Sequence, residues 1–346
     1  MKRFIALLLA ALMLCVGLSG CGSSEDQRVV YVCNWGEYLD ESLNDEFTAK
    51  TGIKVVYDYF DTNESLYATL KNGSAKYDVV VPSDYMIEKM INEDMLAEID
   101  FSLIPNYKNI DPKFKDLPFD PENKYSVPYI WGVLGIIYNT EMVSEVPDSW
   151  DVFWDEQYAG NILMIGNQRD AMAVALKTLG FSLNTTDETE ILGAENMLVK
   201  QKDILQAYVM DQAYNKMESN SAAICCYYAG DAMVMMENNP SLAFALPEEG
   251  TNYYVDSFVI PKISENQDEA AEYINFMLEA ESGKRNTEMI YASTPNMLAQ
   301  ELLSDDIKNN PALYPSQEYL DKCEMYTALP DDIYAMYNTI WTNLGQ

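Results

Sequence analysis

The chain has 346 residues, 55 of them acidic and 22 basic, for a formal net charge of −33. A surface this acidic repels nucleic acid and anionic lipid headgroups, which argues against both as partners. Histidine is absent, which removes the usual general base, the commonest zinc ligand and every imidazole-based triad, so neither a metal nor a cofactor is expected.

The chain opens with Lys2 and Arg3, an apolar run over residues 4–16, and then Leu18-Ser19-Gly20-Cys21. The run is too short for a permanent membrane span, and small residues before a cysteine suit a signal peptidase followed by lipid transfer to the thiol. Residues 1–20 are therefore predicted to be a cleaved lipoprotein leader. Cys21 is the lipidation site, and residues 21–28 form a polar tether to the outer face of the cell membrane.

Strand and helix patterns alternate from residue 29 onward. Residues 29–32 read as a buried strand. Residues 39–51 read as a helix with Leu39, Leu43 and Phe47 on one face and Gly52 as its stop. A strand at 53–59, a helix at 64–72 closed by Gly73, and a strand at 77–81 ended by Pro82 follow, which together predict a parallel α/β sheet.

Residues 130–138 form a long apolar strand carrying Gly132 and Gly135, long enough to pass from one lobe to another. Further on come a strand at 162–165, a helix at 170–179, a strand at 222–228, a strand at 252–260 before Pro261, and a helix at 268–279. The strands near 135 and 256 predict that the chain leaves one lobe and later returns to it. Cys33, Cys225, Cys226 and Cys323 show no metal-binding or disulfide-framework spacing and read as small buried hydrophobes. The only Gly-x-Gly is at Gly20-Cys21-Gly22, and no Gly-Lys-Ser/Thr loop exists, so no phosphate cradle is visible.

Ligands of open α/β sheets sit beyond the carboxyl ends of the strands. Aromatic and acidic residues recur at those ends: Trp35, Glu37 and Tyr38; Tyr85; Asp170; Tyr228; Tyr254 and Asp256. An alkyl ammonium leaving water needs a carboxylate to offset desolvation and a surface that tolerates methylenes. Glu37, Asp170 and Asp256 supply the first, and the rings supply the second together with cation–π attraction. A linear polyamine meets both demands. The structural roles open to the same residues are core packing for the aromatics and a first-turn acid for Asp170.

Asn34-Trp35-Gly36-Glu37-Tyr38, Val79-Val80-Val81-Pro82-Ser83-Asp84-Tyr85, Ser126-Val127-Pro128-Tyr129-Ile130-Trp131-Gly132, Asp256-Ser257-Phe258-Val259-Ile260-Pro261 and Ser293-Thr294-Pro295-Asn296 resemble, in order, the landmarks of the spermidine/putrescine-binding proteins of bacterial ABC importers. The resemblance implies an α/β, two-lobed periplasmic-binding-protein fold of type II character with two crossover hinge strands. Residues 29–133 and 256–300 would form one lobe, and 134–255 and 301–346 the other. It also implies a monomeric receptor, not an enzyme, that delivers a polyamine to membrane permease subunits. Ser83 and Tyr85 match one ligand loop and Asp256 the amine-pairing aspartate. Asn167 and Asp170 fall where the family places two acids, Tyr228 and Tyr254 where tryptophans are usual, Tyr291 beside Ala292 where a pocket tyrosine stands, and Tyr326 where glutamine is common. The lost carboxylate favours a diamine such as putrescine over a triamine. Two alternatives remain open: a surface-anchored glycosidase with Asp170 and Asp256 as its acid pair, and the same fold holding another small solute.

Overall fold

The structure is a computed structural model that describes residues 27–36 and 38–345; the leader, Cys21 and Glu37 lie outside those residues. The chain starts as β1 (Val29–Trp35), α1 (Ser42–Thr51), β2 (Lys54–Phe60), α2 (Asn63–Lys71), β3 (Val79–Val80) and α3 (Asp84–Asn92). Strands β2, β1 and β3 are parallel, with Val29 opposite Lys54 and Val32 opposite Val79. Helix α1 ends at Gly52, whose φ of 77° is the left-handed conformation that glycine adopts without a Cβ clash. Thr62 and Ser65 form a reciprocal capping box at the start of α2.

Two expectations shift here. The helix predicted from residue 39 begins at Ser42, because the Asp40 carboxylate accepts a hydrogen bond from Ser42 N and holds a turn there. The strand predicted over 77–81 narrows to Val79–Val80. Beside it, the Asp78 carboxylate accepts from Tyr31 N, Ser264 Oγ and Asn266 Nδ2, replacing ladder bonds with side-chain bonds.

Strand β4 (Ser126–Asn139) is buried along its whole length. It leads to β5 (Ile162–Ile165), α4 (Gln168–Thr178), α5 (Glu188–Gln201), β6 (Leu205–Val209), α6 (Gln212–Glu218), β7 (Ile224–Tyr228), α7 (Ala229–Asn238) and β8 (Leu242–Ala245). The return strand β9 (Tyr253–Val259) precedes α8 (Gln267–Met277), α9 (Ala280–Ile290), α10 (Met297–Leu302) and the final helix α11 (Asp331–Leu344).

Among the described residues the strand order is β2-β1-β3-β9-β4-β7-β5-β6, with β8 beside β4. The wholly parallel sheet expected from the first elements holds only at its two ends. Strand β9 runs antiparallel to both β3 and β4, and β4 runs antiparallel to β7 and β8. The first half of β4 pairs with β9 from Ser126–Val259 to Val133–Tyr253, and its second half pairs with β7 from Leu134–Tyr228 onward. One strand thus serves both lobes.

The apolar interior divides along β4. Ile130 and Trp131 pack with β1, β3, Val255 and Phe258, whereas Val133 and Leu134 pack with β5 and β7. A third apolar cluster seats α11 on α4 and α5 through Met172, Leu198, Tyr337 and Ile340. Cys33, Cys225 and Cys226 are buried free thiols, and Cys323 is half-buried.

Candidate functional site

The carboxyl ends of β1, β3 and β9 meet at one edge of the first lobe. The Ser83 backbone bridges that of Asp256, and the Trp35 indole N–H donates to Val81 O at 2.9 Å while its ring lies on Phe60. Asn63, at the start of α2, fixes the loop after β3: its amide donates to Ser83 Oγ and Tyr85 Oη at 3.1 Å each. Its carbonyl accepts from Ser83 N. Tyr85 Oη in turn donates to Glu64 Oε1 at 3.1 Å.

Asp256 projects from β9 and is 4 % exposed. Its Oδ2 accepts from Tyr38 Oη at 2.8 Å, and its Oδ1, also buried, has no partner. Burial pushes this carboxyl up to about 6, and the Asp170 charge adds to the rise, against the pull of Tyr38 and Ser83. Asp170 lies in the first turn of α4, 2 % exposed. It accepts from Tyr228 Oη at 2.7 Å and Tyr326 Oη at 2.8 Å. Burial raises its pKa too, with the two hydroxyls and Arg169 opposing.

Between the two carboxylates lies a ladder of rings. Tyr254 meets Tyr228 edge-on at 5.5 Å. At the other side of Asp170, Tyr326 meets Tyr85 edge-on at 6.1 Å. The Tyr254 ring lies over Gly132 of β4, where any Cβ would come within 2.5 Å of its hydroxyl oxygen, so the crossover strand carries glycine at that point.

Trp35, Tyr38, Ser83, Tyr85, Asp170, Tyr228, Tyr254, Asp256 and Tyr326 are therefore brought together, and Glu37 lies outside the described residues. Asn167 stands at the same cleft but spends its side-chain oxygen as the N-cap of α4, accepting from Arg169 N and Asp170 N. Tyr291 stands apart from the carboxylate network. It is the left-handed C-cap of α9, with φ 52°, and its hydroxyl pairs with Glu237 far along α7.

Three residues at the site escaped the sequence reading. Asn63 organises the Ser83–Tyr85 loop. Asp84, fully buried, has an unpartnered Oδ2; burial and the nearby Asp256 charge raise its pKa. Arg169, 3 % exposed, stacks on Tyr326 with its guanidinium carbon 4.4 Å from the ring centre. The only signal for the last two was adjacency to Tyr85 and to Asp170.

Chemically, the arrangement offers two acidic poles separated by aromatic faces, with acceptor capacity left on Asp256. That suits a dication with an apolar middle, since each ammonium brings three donors and no acceptor.

Residues 74–323 match the family described as bacterial extracellular solute-binding protein, and residues 1–111 match one described as hypothetical lipoprotein (MG045 family). The spermidine/putrescine-binding periplasmic protein of Escherichia coli is 37% identical over 326 residues, spanning 94% of this chain and 93% of that protein. This chain belongs to the spermidine/putrescine-binding protein family.

A solved structure from Listeria monocytogenes superposes with a TM-score of 0.88 at 38% identity, covering 92% of this chain and 99% of its own. The spermidine/putrescine ABC transporter substrate-binding protein of Streptococcus pneumoniae gives 0.82 at 38% identity, covering 92% and 98%. The fold is accordingly the two-lobed fold of periplasmic binding proteins. Members of the spermidine/putrescine-binding family capture solutes and are not enzymes, which sets aside the reading of Asp170 and Asp256 as a hydrolase pair.

Proposed function

We propose that this chain is the extracytoplasmic polyamine receptor of an ABC importer, anchored to the cell membrane by lipid on Cys21. The observation that carries the reading is the pair of buried carboxylates, Asp256 on β9 and Asp170 on α4, each held by tyrosine hydroxyls and joined by the Tyr254–Tyr228 ring contact. One ammonium pairs with Asp256 and the other with Asp170. The methylenes between them lie on the rings, and each ring near a cation adds about 0.5–2 kcal/mol. The spermidine/putrescine-binding relative in Escherichia coli supports this choice of cargo.

The lobes divide as 29–133 with 256–300 and 134–255 with 301–346, and they close about β4 and β9 when the ligand contacts both. The binding set is Trp35, Glu37, Tyr38, Ser83, Tyr85, Asn167, Asp170, Tyr228, Tyr254, Asp256 and Tyr326; Tyr291, the cap of α9 paired with Glu237, is left out of it. With an amide at Asn167 where a second carboxylate would favour a third ammonium, putrescine is the preferred ligand. The loaded monomer delivers it to membrane permease subunits.

Calorimetry with putrescine, spermidine, spermine and betaine tests the reading. Putrescine is expected to bind, and Asp256→Asn is expected to weaken it by about 100-fold or more, the scale of removing one partner of a buried ion pair. Unchanged affinity in that variant removes the ion pair, and binding of betaine alone removes the polyamine.

A further inference from the structure

Among the places where the two lobes touch is one face of α3. Tyr85, Glu88 and Lys89 lie three and four residues apart and so share that face. They meet a segment running from Glu324 into α11. This segment is fixed to the second lobe. Glu324 pairs with Lys177 at 2.6 Å. Asn184 Nδ2 donates to Met325 O at 2.8 Å, and Asn184 Oδ1 accepts from Thr327 N at 2.9 Å. Arg169 Nη1 donates to Thr327 O at 3.2 Å.

From the first lobe, the Glu88 carboxylate accepts from Ala328 N at 2.7 Å. The Tyr85 ring meets both Tyr326, at 6.1 Å, and the Arg169 guanidinium, at 5.3 Å. Lys89 reaches the exposed Asp331 at 3.7 Å, a contact too solvated to add much. The other two are partly or wholly buried. A charge-assisted hydrogen bond to a backbone N–H and a desolvated cation–π contact are strong for their size. None of these contacts requires a ligand.

We propose that Glu88 and Arg169 form a latch across the cleft that favours the closed form whether or not ligand is present. Arg169 is a positioning residue in this scheme. By stacking on Tyr326, within the second lobe, it also holds the hydroxyl that donates to Asp170, so the side chain that reaches Tyr85 across the cleft also steadies that pole. A latch of this kind raises apparent affinity by raising the fraction of molecules already closed, and it slows release. The inference rests on the lobes moving relative to each other, as proposed above, but not on which solute they enclose.

The test uses the full-length chain with Cys323→Ser and spin labels at Asp61→Cys and Lys200→Cys, one exposed site in each lobe. Inter-lobe distances are measured by double electron–electron resonance without ligand. A closed population is expected in the parent, and Glu88→Ala is expected to reduce it severalfold while leaving the fold intact. Putrescine release should accelerate about three- to ten-fold in Glu88→Ala, with a smaller change in association. Arg169→Met should act in the same direction, and Arg169→Lys should restore part of the closed population. If Glu88→Ala leaves both the ligand-free distance distribution and the release rate at parental values, the latch is overturned. Because the distance measurement involves no ligand, failure of putrescine to bind would overturn the choice of cargo and leave this result standing.

Discussion

Asp256 carries the sharpest prediction at the level of single residues. Its carboxyl rises from an ordinary 3.8 to about 6 in the folded protein, so the folded state holds this proton more tightly than the unfolded chain does. The destabilisation from burying its charge is absent below about pH 4, grows as pH rises through the window between 4 and 6, and is complete above it. At neutral pH it amounts to about 3 kcal/mol. Asp256→Asn should therefore raise the melting temperature of the ligand-free protein at pH 8 by a few degrees and leave it nearly unchanged at pH 4. An ammonium favours the charged carboxylate, so putrescine affinity in the parent should fall as pH drops below about 6. Calorimetry across pH 5–8 checks this, and a flat profile would place the responsive carboxyl elsewhere. The identity of these acids and rings was legible from their place at strand ends. Arg169 was not, because a charged residue on a helix reads as solvated unless its stacking partners, more than eighty positions away, are known. Asp84 was hidden for the same reason, and Asn63 because nothing in its own neighbourhood marks it as the brace of a distant loop.

Among the elements, β4 shows how far periodicity alone reaches. Its apolar run announced a long buried strand, and β5 at Ile162–Ile165 fell where its pattern placed it. The antiparallel pairing of β4 with β9, β7 and β8 was out of reach, since pairing direction depends on contacts made long after the strand itself is written. Gly132 ties this element to the site. Gly132→Ala would drive a methyl into Tyr254, and overpacking of this kind costs about 1–3 kcal/mol. Putrescine affinity should drop about ten-fold, measured by calorimetry, because Tyr254 must turn away from Tyr228. In a Tyr254→Leu background the same glycine change should cost much less, the coupling expected of two groups in direct contact. Equal losses in both backgrounds would show that the glycine serves the strand rather than the ring.

For the molecule as a whole, the acidic surface and the cation-seeking cleft act together. A net charge of −33 concentrates small cations near the protein and steers a dication inward, an effect confined at physiological salt to about 8 Å. Raising sodium chloride from 20 to 500 mM should slow putrescine association severalfold in stopped-flow measurements, with a smaller change in dissociation, since the buried poles are shielded from ions. An association rate indifferent to salt would confine the attraction to the cleft itself.

The position of β9 between β3 and β4 also governs the order in which the chain can be assembled. The first lobe's central strand is written more than a hundred residues after its neighbours, so a chain emerging from the amino end cannot finish that sheet until residue 259 has appeared. Until then β3 and the front of β4 lack the partner that separates them. A polypeptide with this interleaved order completes the sheet of its first lobe only once residues 253–259 are available, after the intervening strands of the second lobe have been made.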